Sequence, residues 1–115
     1  MTLEEIRDYC LSLPGVTEDI KWEAHLCFNI GGKMFIITAP DEAPVSASFK
    51  TSDDLFEELT QRSGFMPAPY LARNKWVKIN NISILGNTEG KKLLKLAYTL
   101  VFEKLPAKLR KQIGA

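Results

Sequence analysis

The sequence has very few of the residues from which most catalytic and metal centres are built. Histidine occurs once, at His25, and the two cysteines, Cys10 and Cys27, have no Cys-x-x-Cys spacing. A GxSxG motif, an HExxH motif and a Walker-type phosphate loop are all missing. We therefore expect no enzymatic activity and no cofactor, and we expect both thiols to be small buried hydrophobic groups in a reducing compartment.

Long hydrophobic runs are missing as well. No apolar stretch approaches the roughly 20 residues that a helix needs to cross a bilayer. The first residues, MTLEEIRDYC, are acidic where a signal peptide is basic and then apolar. We expect a cytoplasmic protein with no membrane partner. With 115 residues, 45% of them hydrophobic, residues 1–115 are expected to form one globular domain, either monomeric or weakly oligomeric.

The net charge of +1 conceals a division along the chain. Residues 1–72 carry 5 basic and 12 acidic side chains, whereas residues 73–115 carry 10 basic and 2 acidic ones. The two halves either attract one another inside the fold or present an acidic and a basic face to different partners. The sequence leaves both alternatives open.

Several local patterns predict helices. Thr2 and Glu5 form a capping box, which predicts a helix that runs to about Ser12 and ends before Pro14-Gly15. Ser52 is placed to cap a second helix. Thr88 is the expected cap of the last long helix, and residues 107–113 are expected to add a short basic helical segment.

The middle of the chain predicts a sheet. Residues 26–30 and 33–38 flank Gly31-Gly32, which predicts a tight hairpin. Alternation over residues 45–49, and apolar content over 75–79 and 82–85, predict three more short strands. Because two prolines interrupt residues 65–70, we expect an ordered loop there. The order of these elements predicts an α+β fold, an antiparallel sheet with helices packed on one face.

The residues in order resemble those of a known family. They are Leu13-Pro14-Gly15-Val16, Trp22, His25, Phe28, Gly32-Lys33-Met34-Phe35, Ser48-Phe49-Lys50, Pro67-Ala68-Pro69-Tyr70, Lys75-Trp76-Val77 and Lys104-Leu105-Pro106. This set resembles the MmcQ/YjbR-like family of small bacterial proteins over nearly the whole chain. The resemblance implies a CyaY-like fold and a DNA-binding role through a double-wing arrangement of strands.

A non-enzymatic, DNA-binding module is therefore the leading functional expectation. Phosphate contacts need exposed cations that lie close together, and a nearby aromatic ring can stack on an unpaired base. The candidate nucleic-acid-binding residues are Lys33, Lys50, Arg73, Lys75 and Lys78. The alternative is that they are solvated cations around a core Trp76, which the modest pI of about 7.7 favours.

Two further alternatives remain. An aromatic groove that binds a protein or a small ligand is expected to use Trp22, His25, Pro67, Tyr70 and Trp76, although core packing is the more common role of such residues. The fold that the resemblance implies is shared with frataxin-like proteins. The first helix carries the acidic residues Glu4, Glu5 and Asp8, which suggest metal binding of the frataxin-like kind. Carboxylates in a first helical turn are more often a solvated face that complements the helix dipole.

Overall fold

The computed structural model describes residues 1–114, which form four α-helices and six strands. In chain order the elements are α1 (Leu3–Ser12), β1 (Val16–Lys21), β2 (His25–Ile30), β3 (Lys33–Ala39), β4 (Ser46–Lys50), α2 (Asp53–Leu59), β5 (Phe65–Pro67), β6 (Trp76–Ile79), α3 (Asn87–Phe102) and α4 (Ala107–Ile113). Two 3₁₀ turns, Ala72–Asn74 and Ile82–Ile84, precede β6 and α3.

The six strands form one sheet in the order β1-β2-β3-β4-β6-β5, and every neighbouring pair is antiparallel. The first four strands follow one another in space as they do in sequence. The chain then leaves the sheet through α2, forms the edge strand β5, and returns as β6 between β4 and β5. The predicted α+β class, an antiparallel sheet with its helices on one face, is confirmed.

The predicted helix starts are confirmed at two of three positions. In α1 the Thr2 hydroxyl accepts a hydrogen bond from the Glu5 amide at 3.1 Å, and the Glu5 carboxylate accepts one from the Thr2 amide at 2.8 Å. In α2 the Ser52 hydroxyl accepts from the Leu55 amide at 3.3 Å. Thr88 is not the cap of α3, because the helix begins earlier and Gly86 occupies the cap position.

Two other local predictions are wrong. Residues 82–85 do not form a strand: Ile82–Ile84 is a 3₁₀ turn, at whose start the Asn81 side chain accepts a hydrogen bond from the Ser83 amide at 3.0 Å. Residues 65–67 form β5, not a loop, with Phe65 opposite Ile79. A proline is tolerated in β5 because it is an edge strand, where a missing N–H leaves no ladder bond broken on the solvent side.

Strand register places one row of apolar side chains on the face that the helices cover. Phe28, Ile36, Phe49 and Val77 lie opposite one another across four strands, and each is at most 1% exposed. The aromatic ring of Tyr98 in α3 is buried in the same core. Because side chains alternate along a strand, the next row points to the other face.

The helix α3 is tied to the loop after α1 by one part-buried hydrogen bond. Tyr98 packs edge-on against Phe35, with ring centroids 5.7 Å apart. Its hydroxyl donates to the carbonyl oxygen of Pro14 at 2.7 Å. The apolar stripe of α3 and the loop after α1 are thereby fixed against the same part of the sheet.

None of the helices within residues 1–114 is long and apolar enough to cross a membrane.

The predicted hairpin between β2 and β3 is confirmed, and its two glycines differ in their surroundings. Gly31 and Gly32 have φ angles of +59° and +79°. A Cβ atom on Gly31 would lie 2.6 Å from the Leu105 side chain, whereas one on Gly32 would have nothing within 4 Å. The hairpin tip therefore packs closely on the segment between α3 and α4.

Alanine at the two hairpin glycines should separate backbone strain from packing. Gly32→Ala is expected to cost roughly 1–2 kcal/mol of unfolding free energy through its left-handed backbone alone. Gly31→Ala adds the collision with Leu105 and should cost about 1 to 3 kcal/mol more, as overpacking does. Urea unfolding followed by circular dichroism measures both values. Equal losses would contradict close packing of the tip on Leu105.

The thiol of Cys10 should make stability depend on alkaline pH. Burial raises the pKa of Cys10 from 9.0 to about 12, so the unfolded chain loses this proton first as the pH rises. The free energy of unfolding should be insensitive to Cys10 below pH 9 and should fall between pH 9 and about 12. Urea titrations across that window should give Cys10→Ala a shallower slope than the parent chain, and an unchanged slope would contradict the assignment.

Candidate ligand groove on the open face of the sheet

The face of the sheet opposite the helices contains a groove of about 500 Å³. Its floor follows the second row of side chains, in which Ile37, Ser48 and Lys78 lie opposite one another on β3, β4 and β6. Trp22 and Tyr70 also line it. We call this feature the open-face groove.

The two aromatic residues at the rim of the groove have an unusual backbone conformation. Trp22 has φ of +52° and Tyr70 has φ of +65°, both in the left-handed region. Their side chains are 68% and 103% exposed, so neither gains the stabilisation that burying a large ring provides. A left-handed non-glycine residue costs roughly 1–2 kcal/mol. Glu23 and Lys75, which do not line the groove, also have left-handed backbone, so it is the exposure of the two rings beside the groove that distinguishes Trp22 and Tyr70.

Tight turns produce these conformations. The amide of Ala24 donates to the carbonyl oxygen of Lys21 at 3.3 Å, which closes the turn that contains Trp22. The amide of Leu71 donates to the carbonyl oxygen of Ala68 at 3.1 Å, which closes the turn that contains Tyr70. Each ring thus stands on a hydrogen-bonded turn that projects beside the groove.

His25 lies next to the Trp22 rim. The two rings meet edge to face, with centroids 5.8 Å apart and an interplanar angle of 83°. The Nδ1 atom of His25 is buried and has no hydrogen-bond partner. An unpaired buried nitrogen is costly, so His25 contributes a local polar strain beside the groove.

Lys78 and Glu42 are the oppositely charged side chains that line the groove. Glu42 is exposed, and its carboxylate accepts a hydrogen bond from the Ser46 hydroxyl. Lys78 is half-buried, and within residues 1–114 its side chain forms no hydrogen bond or ion pair. The groove therefore contains one ammonium group without a partner.

Beneath the Trp22 side of the groove, a polar network fixes β1 to β2. Asn29 donates to the Asp19 carboxylate at 3.3 Å, and Lys21 donates to the Asn29 side-chain oxygen at 3.5 Å. Cys27 is fully buried in the same row, and its thiol contacts the carbonyl oxygen of His25, not the imidazole ring. Burial raises the pKa of Cys27, which keeps the thiol protonated at neutral pH.

The structure divides the predicted groove residues. Trp22, His25 and Tyr70 line the open-face groove, as the sequence suggested. Trp76 does not line it and is 6% exposed, and Pro67 lies opposite Val77 in the row that faces the helices. Sequence reasoning missed the floor residues Ile37 and Ser48 and the acidic Glu42, although strand alternation was the signal that could have found the floor.

The predicted nucleic-acid-binding residues do not form one patch. Lys78 lies in the open-face groove, whereas the ammonium group of Lys75 lies 4.9 Å from the ring centre of Phe56 in α2, on the helix side. Lys33 and Arg73 are exposed on the hairpin and on the 3₁₀ turn before β6.

A different group of cations does converge. Lys50 donates to the carbonyl oxygen of Asn74, and burial, followed by the charge of Lys104, lowers the pKa of Lys50. The charge of Asp53 raises it and that of Lys75 lowers it. Lys75 and Lys104 are thus each close enough to Lys50 at the end of β4 to affect its pKa, as Asp53 is, and the three cations are here called the basic corner. Lys104 was not among the predicted residues because it is far from the other two in sequence.

The acidic residues of α1 are partly engaged in structural contacts. Besides its capping role, Glu5 accepts a hydrogen bond from the Asn87 side chain at 3.1 Å, and the Thr2 backbone hydrogen bond is the main cause of its lowered pKa. Within residues 1–114, no three His, Cys, Asp or Glu side chains are grouped so that they could hold a metal ion. Glu4 and Asp8 therefore have no third ligand beside them.

Comparisons with known proteins agree with this architecture. The chain is similar to the Deinococcus radiodurans protein DR2400, whose crystal structure has a DUF419 domain, with 26% identity, 98% of this chain and 88% of that chain covered, and a TM-score of 0.88. A Pseudomonas syringae protein shares the fold at 20% identity, with 87% and 98% covered and a TM-score of 0.71. No curated protein matches the chain. The family model YjbR matches residues 11–100, and the chain therefore belongs to the YjbR family.

Proposed function

We propose that this protein is a non-enzymatic binding module that holds a small organic ligand in the open-face groove. The observation that carries the proposal is the pair of exposed rings, Trp22 and Tyr70, both at left-handed backbone positions beside one groove. Conformations of this cost persist where the surrounding structure imposes them, and they cluster at ligand sites.

The size and chemistry of the groove support a small ligand. Its volume of about 500 Å³ is that of a site for a drug-sized molecule. Ile37 gives the floor an apolar centre, and a few polar side chains surround it, among them Ser48 and Lys78. An apolar surface with a few placed polar groups is the usual composition of such sites.

Binding without catalysis fits the titratable groups near the groove. The Cys27 thiol is buried, protonated and directed at a carbonyl oxygen, so it is a poor nucleophile. The imidazole of His25 packs against Trp22. Neither group has the hydrogen-bonded partner that would activate it as a nucleophile or a general base.

Removing either rim should weaken ligand binding without unfolding the protein. A neutral fluorescent probe, phenylnaphthylamine, is expected to bind the groove and to lose roughly threefold to tenfold in affinity in Trp22→Ala and in Tyr70→Ala, the range of one aromatic contact. Probe fluorescence measures the affinity, and ¹⁵N chemical shifts locate the site at Ile37, Ser48 and Lys78.

Ile20→Ala is the matched control for this experiment. Ile20 is 61% exposed and apolar, as Trp22 is, but it does not line the groove. Its removal should leave probe affinity unchanged. A probe that binds equally well to all three variants, or whose shifts map to the helix side, would refute the groove as the site.

Nucleic-acid binding is the second candidate, and the basic corner favours it. Lys104 and Lys75 both lower the pKa of Lys50, so two further cations lie near Lys50, with Asp53 as the one acid that raises its pKa. None of the three forms an ion pair within residues 1–114. Cations grouped in this way suit the phosphates of a nucleic-acid backbone.

Charge removal at the basic corner tests this candidate. Lys75→Gln with Lys104→Gln should weaken the binding of a labelled DNA duplex and flatten its salt dependence by about two units of the log–log slope, since each phosphate that a cation neutralises contributes about 0.9. Fluorescence anisotropy at several salt concentrations measures both effects. Lys91→Gln with Lys92→Gln removes the same charge from α3 and is the control, and an equal weakening in both double variants would indicate a general charge effect only.

A further inference from the structure

We infer that the ligand of the open-face groove is a ring-bearing anion whose negative group binds Lys78. This inference rests on the proposed ligand site and adds the chemical class of the ligand. Aromatic carboxylates, sulfonates and phosphates all belong to this class. Lys78 supplies the charge, and the rims Trp22 and Tyr70 supply flat surfaces for a ring.

The position of Lys78 is the first argument. Its neighbours in register are Ser48 on β4 and Met66 on β5, neither of which is an acid. Lys78 is half-buried on the face that the helices leave open, and it lines the groove. Within residues 1–114 its side chain has no hydrogen-bond or ion-pair partner. Its ammonium group is therefore free to pair with an anion in the groove.

Lys21 provides a contrast on the same face. Its ammonium group donates to Asn29 and lies in a network that includes the Asp19 carboxylate. Lys21 therefore has structural partners, whereas Lys78 has none within the same residues. Of these two cations, Lys78 is the one that lines the groove.

The carboxylate of Glu42 should repel an anion in the groove. It lines the same groove as Lys78 without forming an ion pair with it. Its carboxylate is exposed and is held by the Ser46 hydroxyl, so solvent weakens its effect in the groove. Attraction by half-buried Lys78 should exceed repulsion by exposed Glu42. The repulsion should still be measurable.

Two probes with the same rings separate charge from ring binding. Anilinonaphthalene sulfonate differs from phenylnaphthylamine in carrying one negative group. The parent chain should bind the sulfonate roughly tenfold more tightly, the effect of one charge-assisted contact. Lys78→Gln should abolish this preference, whereas Lys78→Arg should retain it.

Two charge variants complete the design. Glu42→Gln should raise the affinity for the sulfonate about twofold to fivefold, as expected for a screened surface charge. Lys21→Gln removes the same charge from the same face and should leave the preference intact. Circular dichroism and the urea midpoint of each variant establish that it is folded.

The outcomes distinguish the two levels of the proposal. If neither probe binds the groove, the proposed function fails. If both probes bind equally well, or if the preference survives in Lys78→Gln, the ligand site stands and the anion inference is overturned. If Lys21→Gln reduces the preference as much as Lys78→Gln, the attraction comes from the overall charge of the face and the inference is again overturned.

Discussion

The whole arrangement depends on burying one face of the sheet beneath the helices. Phe28, Phe49 and Val77 form one fully covered row, and Tyr98 in α3 packs over it and bonds to the Pro14 carbonyl. Burial of such side chains is the main source of stability in a chain of this size. All four helices pack on that face. The opposite face is therefore covered only by its own side chains and by the two turns that contain Trp22 and Tyr70.

The same strand register therefore determines both the core and the groove. Side chains alternate between faces, so the register that places Val77 against the helices also places Lys78 in the groove. A slip of one residue would exchange the two rows, burying Lys78 and exposing Val77. The floor of the open-face groove and the core thus lie on opposite faces of the same strands. A substitution that preserves the strand register of the core therefore also preserves the floor of the groove.

The sequence predicted what local chemistry decides. The Thr2–Glu5 box and the Gly31-Gly32 hairpin follow from a few neighbouring residues, and both are confirmed. Prediction failed where a distant or competing contact decides: the Asn81 side chain turned a β-branched stretch into a 3₁₀ turn. The sequence also predicted the two aromatic residues at the rim of the groove, Trp22 and Tyr70. It did not predict the floor, because alternation alone does not say which of the two rows of side chains the helices cover.

The division of charge along the chain is not cancelled by ion pairs between its two halves. The two ion pairs within residues 1–114 are Arg7–Glu18 at 2.7 Å and Arg62–Glu89 at 2.9 Å. Neither joins an acid of residues 1–72 to a base of residues 73–115, so the excess charges of the two halves do not neutralise each other through such contacts. They remain available at the surface, where the basic corner collects one part of them. The groove holds one cation and one carboxylate, so its selectivity must come from the placement of Lys78 and Glu42 and not from its net charge.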